Sequence, residues 1–173
     1  MGTVHVLFGR GWLLLMEKSA TFSYCRKYRY TLWRHWGSLF SKDYAMFIGL
    51  NPSTADEQND DPTVRRCIGY ARDWGYAGLC MTNIFAFRAT LPIDMKAAED
   101  PIGPANDRTL IDMAEYAGVV IAAWGVHGTY LGRDKEVCKI IPKLHYLKLT
   151  KDGYPGHPLY LPKNLRPTLW QND

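Results

Sequence analysis

A chain of 173 residues, 47% hydrophobic and 22% charged, has the length of one domain and enough apolar content for a proper core, which excludes a disordered chain. A net charge of +4 is compatible with a nucleic-acid partner without arguing for one. The four cysteines, Cys25, Cys67, Cys80 and Cys138, are scattered and form no Cys-x-x-Cys pair, which speaks against a cysteine-built zinc site or a disulfide framework.

Residues 1–19 carry weak signals and are expected to form an N-terminal arm, with residues 20–173 as a single α/β domain. The apolar patch 12–16 is short, and no run approaches the roughly 20 residues of a membrane span, so a soluble, cytoplasmic protein is expected. Residues 21–24 and 28–36 are rich in aromatic and β-branched side chains and flank the polar step Cys25-Arg26-Lys27. They predict an antiparallel hairpin with a basic tip. Basic and aromatic residues interleave there, as on a nucleic-acid face, although a solvated hairpin with its aromatic side in the core has the same composition.

Residues 44–50 read as a buried strand that breaks at Asn51-Pro52 and empties into the polar run Ser53, Thr54, Asp56, Glu57, Gln58, Asn59, Asp60 and Asp61. In an open parallel sheet, ligands bind beyond the carboxyl ends of the strands, which makes this loop a site candidate. The plainer alternative is a solvated reversal, because Asn-Pro turns are common.

Asp61-Pro62 reads as an N-cap followed by proline at the first helical position, and Val64, Cys67, Ile68, Ala71 and Trp74 recur at helical spacing up to Gly75. A second buried strand spans 79–85. Within it Asn83 needs partners, from the backbone or from a ligand. A proline-bearing loop over 86–104, a helix over 104–117, a third strand over 119–124, a helix over 133–141 and a fourth strand over 144–149 follow. The tail around Gly156-His157-Pro158 is too rich in Pro and Gly for regular structure. The alternation predicts a three-layer α/β/α sandwich, with a mostly parallel four-stranded sheet and the hairpin added. Strand ends then bring Asn51, Asn83, Trp124 with His127, and the His157 loop to one edge.

Four segments in this order resemble the uracil-DNA glycosylase superfamily: Gly49-Leu50-Asn51-Pro52, the strand ending in Asn83, Ala123-Trp124-Gly125, and His157-Pro158-Leu159-Tyr160. At finer grain the chain resembles an uncharacterised bacterial and phage family, domain of unknown function family 1643. It does so through Tyr28-Arg29-Tyr30, residues 50–56, Asp60-Asp61-Pro62-Thr63, residues 83–90 and residues 156–160. The first resemblance implies a glycosylase-like fold and hydrolysis of an N-glycosidic bond in nucleic acid, with the base taken out of its stack.

The expected catalytic residues are then Asn51 holding water, Asp56 as the nearest carboxylate base, and His157 donating to a carbonyl oxygen of the leaving base. Asn83, Pro52 and Tyr160 would meet the base, and Arg29, Arg88 and Ser53 a phosphate. No cofactor or metal is expected in this reading. The chain departs from the best-studied glycosylases in having Asn51 where they have Asp, and Leu159-Tyr160 after His157-Pro158. Two alternatives stay open: a non-catalytic nucleic-acid-binding module, and a metal-dependent enzyme on a free nucleotide, with the carboxylates of residues 56–61 holding Mg²⁺. His157 and Asn83 could equally do no more than brace their own loops.

Overall fold

The computed structural model of the chain describes residues 16–37 and 43–171. Its centre is a seven-stranded mixed sheet, in the order β1-β2-β4-β3-β5-β6-β7. The strands are β1 Glu17–Phe22, β2 Arg29–His35, β3 Tyr44–Gly49, β4 Gly78–Asn83, β5 Val119–Ala122, β6 His145–Tyr146 and β7 Thr168–Leu169. The helices are α1 Pro62–Asp73, α2 Pro92–Lys96, α3 Asn106–Glu115 and α4 Arg133–Ile140.

β3 pairs in parallel with β4 on one side and β5 on the other. Both neighbours are buried along their whole length because helices cover both faces of the sheet. The two-residue period of a strand divides β3: Ala45 and Phe47 face one core, and Tyr44, Met46 and Ile48 the other. The first core is closed by α1 through Val64, Cys67, Ile68, Tyr70 and Ala71. Phe47, Tyr70 and Trp74 stack there, with centroids 5.5–6.3 Å apart. The second is closed by Met95 of α2, Leu110 of α3 and Val137 of α4, each fully buried. Each such side chain contributes on the order of 1.5–3 kcal/mol of burial.

The expected four-stranded sheet is corrected at both sides. β1 and β2 do form the expected hairpin, but β2 also runs antiparallel to β4, Leu32 opposite Met81. Leu32 is fully buried, so the hairpin completes the core instead of lying beside it. Of the expected arm, residues 1–15 lie outside the described residues, whereas Glu17, Lys18 and Ser19 belong to β1.

On the far side, the strand expected over 144–149 shrinks to two residues paired with β5 and β7. The chain after Tyr146 turns to its own tail: Gly156 N–H donates to Lys148 O (2.8 Å) and Thr150 N–H to Tyr154 O (2.8 Å). The loop over 86–104 holds a short helix, α2, and doubles back through Ala86 N–H to Ile102 O (3.0 Å) and Phe87 N–H to Pro101 O (3.1 Å). No helix among the described residues is long and apolar enough to cross a membrane.

Candidate functional site

The site is built where β3 and β4 end. Gly49 and Asn83 are cross-strand partners. A Cβ at position 49 would stand 2.8 Å from Asn83 Nδ2, so only glycine leaves room for that amide. Asn83 is 4% exposed, and its Oδ1 accepts from Arg29 Nη2 (3.3 Å). The second Arg29 nitrogen donates to Ala55 O (2.8 Å), which ties the end of β4 to the loop after β3. Arg29 is itself buried, and its Nε has no hydrogen-bond partner. Burial pulls this guanidinium down to about 10, with the Asp61 carboxylate opposing the fall. The structure thus sets Arg29 behind Asn83, fixing which way its amide points.

Asn106, at the start of α3, holds the backbone under Asn83. Its Nδ2 donates to Asn83 O and Ile84 O, both at 3.0 Å. Arg133, also buried, adds a bond from its Nε to Ile84 O (2.9 Å), while Asp107 and Glu136 neutralise its other end. Neither residue stood out in the sequence. An asparagine opening a helix reads as a cap, and a lone arginine at a helix start reads as a surface charge.

Asn51 bridges two loops. Its Nδ2 donates to Ala89 O (2.7 Å) and Pro52 O (3.1 Å), and Ala89 N–H returns a bond to Pro52 O (2.9 Å). Both donor positions of the amide are used, and Oδ1 is the group that remains for a ligand. Pro52 is buried beneath this bridge.

Asp56 turns into its own loop. Its carboxylate accepts from Asn59 N–H (2.7 Å), Gln58 N–H (2.9 Å) and the Asn59 side chain (3.1 Å). The Gln58 and Asn59 amides hold it below the ordinary carboxylate range. Asp60 pairs with Arg34 (2.6 Å) and Lys18 (3.3 Å). Asp61 caps α1 by accepting from Val64 N–H (2.8 Å), as its place before Pro62 foretold. The carboxylates that suggested a Mg²⁺ site are each committed elsewhere. Among the described residues no group of three or more His, Cys, Asp and Glu side chains is placed to hold a metal.

His157 caps the short turn Pro158–Tyr160, its Nδ1 accepting from Leu159 N–H (3.3 Å). The bond requires a bare Nδ1, which puts the proton of the neutral ring on Nε2. Burial lowers the imidazole below its ordinary value, opposed by Asp61. Asp61 is therefore a charge felt by both Arg29 and His157. The Tyr160 ring lies 5.4 Å from that of His157 and is 81% exposed.

Arg88 and Ser53 line a hollow of about 490 Å³ together with Arg26, Lys27, Thr54 and Phe87. Arg88 and Arg26 both lie over the Phe22 ring, at 4.9 and 4.0 Å from its centroid. The basic hairpin tip thus meets the loop after β4, a junction that no local sequence pattern announces. Trp124 is buried after β5, and His127 is exposed beyond it.

Fold and site together describe an α/β protein with a polar pocketed edge at the ends of its central parallel strands. A family model described as Protein of unknown function (DUF1643) matches residues 29–159, well over half of the chain. The chain belongs to that family. No curated protein and no solved structure matches it.

Proposed function

We propose that the protein is a nucleobase-processing hydrolase that cleaves an N-glycosidic bond in nucleic acid, on a sheet arranged as in uracil-DNA glycosylases. The observation that carries the reading is the His157 tautomer: Nδ1 is taken by Leu159 N–H, burial favours the neutral ring, and Nε2 keeps a proton to give. A neutral imidazole N–H aimed at a carbonyl oxygen stabilises the negative charge that a departing base develops.

Asn83 reads the base edge, with Arg29 occupying Oδ1 and leaving Nδ2 as the donor. Asn51 keeps Oδ1 for a water, since its Nδ2 is spent on two carbonyls. Asp56, held low by backbone amides, is a weak proton acceptor and serves mainly to shape the loop. Tyr160 offers a face for a neighbouring base. The reading needs no metal or cofactor.

One observation favours a second reading, a non-catalytic binding module: the donors of Asn51 and the carboxylate of Asp56 are satisfied within the fold. A base-release assay separates the two. The protein is incubated with single- and double-stranded DNA and RNA carrying uracil, hypoxanthine or modified pyrimidines, and free base is read by mass spectrometry. Release by wild type that His157→Ala and Asn83→Ala abolish establishes the hydrolase. Salt-sensitive binding without release establishes the module.

A further inference from the structure

We infer that the protein grips a nucleic-acid strand by its phosphates at two basic hollows that flank the edge carrying Asn51 and His157. This deepens the proposed function and rests on it for what lies between the hollows, namely a base. The first hollow is the one lined by Arg26, Lys27, Arg88, Ser53 and Thr54. The second, of about 380 Å³, lies between α1 and the tail and is lined by Arg65, Arg66, Lys163, Leu159 and one acid, Asp73.

Each hollow shares residues with the candidate site. Ala89 lines the first, and its carbonyl accepts from the Asn51 amide (2.7 Å). Leu159 lines the second; its N–H holds His157, and its carbonyl accepts from Arg66 (3.4 Å). A strand placing one base at His157 therefore has backbone on both sides to be met.

The charges lack internal counterparts. Among the described residues Lys27, Arg88, Arg65, Arg66 and Lys163 enter no ion pair, and Arg26 has only Glu57. Arg88 lines the first hollow with a forked guanidinium, of which one terminal nitrogen donates to Arg26 O (3.2 Å). Ser53 and Thr54 supply hydroxyls of the kind that bind phosphate oxygens. Phosphate is the anion that suits forked guanidiniums and recurs along a polymer. A free mononucleotide carries its phosphate at one end and fills one hollow.

The test is fluorescence anisotropy of a labelled single-stranded oligonucleotide against wild type, Lys27→Glu, Lys163→Glu and the double variant. Both lysines are exposed, and the alanine variants stand in if a charge reversal lowers the melting temperature. Each reversal is expected to weaken binding several-fold, and the double variant by the product of the two. The slope of log affinity against log salt should become shallower by about 0.7 per lost contact. Inorganic phosphate and a nucleoside monophosphate should compete only at far higher concentration than the oligonucleotide. Binding that ignores either reversal, or a monophosphate that competes as well as the strand, overturns the inference. Two-hollow binding by a wild type that releases no base defeats the proposed hydrolase and not the grip.

Discussion

β2 carries two buried arginines that meet the same loop and have opposite surroundings. Arg34 is fully enclosed and fully answered: Nε to Asp60 (2.6 Å), one terminal nitrogen to Trp33 O (2.6 Å), the other to Asp56 O (2.7 Å) and Asn59 O (3.3 Å). Arg29 is equally enclosed but has a carbonyl, a neutral amide and an empty Nε, with no carboxylate bonded to it. The first arrangement is what a fold needs to lock a polar loop in place. The second leaves a charge incompletely satisfied next to Asn83, and perturbed groups of this kind concentrate at functional sites. Two arginines on one strand thus differ in how completely the fold itself satisfies them.

That division can be tested most severely at Arg34. Arg34→Ala leaves Asp60 and the Asp56 and Asn59 carbonyls without their donor, and should cost about 3–5 kcal/mol in urea unfolding. Arg29→Met should cost less, about 1–3 kcal/mol, for the two acceptors it strands. Its effect on base release should be larger, about a hundredfold in kcat, because Asn83 loses its orientation. If the two variants rank the other way in stability, the distinction drawn between them is wrong.

Asp61→Ala sharpens the comparison, since this residue is felt by Arg29 and His157 alike. Loss of the cap should cost about 1 kcal/mol. The same substitution should move the His157 titration further below its present value, read by NMR of the imidazole protons, because Asp61 holds it up.

The smallest effect is a pH dependence. His157 is harder to protonate folded than unfolded, so as pH falls below the ordinary histidine value of 6.5 the unfolded chain takes up the proton first. Its contribution is therefore neutral above that value and destabilising below it. The urea midpoint of His157→Gln should fall less steeply than that of wild type between neutral pH and pH of about 5.

What could be read from the chain alone was whatever depends on near neighbours. Asp61-Pro62 announced the start of α1, and the apolar run before Gly49 announced β3, because a cap and a buried strand are written into consecutive residues. The end of the sheet was illegible for the converse reason: residues 144–149 have strand composition, but beyond Tyr146 they find their partner in the tail. Asp60 looked like part of an acidic cluster until Arg34, 26 positions earlier, turned out to neutralise it. Asn51 and Asp56 were visible as polar residues after a strand, but whether their atoms face a ligand or their own loop depends on Ala89 and Asn59. The basic tip, Ser53 and Arg88 were each visible in the sequence, but their meeting in one hollow was not, because the hollows join segments far apart in the chain.

The pairing of Gly49 with Asn83 has a bearing on how relatives of this protein should be sorted. A side chain at one position and an amide at the other compete for the same 2.8 Å of space, so the two sites behave as a single inherited character. A chain that carries alanine or serine at the first position must have moved or shortened the residue at the second. The residue at position 49 of any relative is therefore to be read together with the residue at position 83.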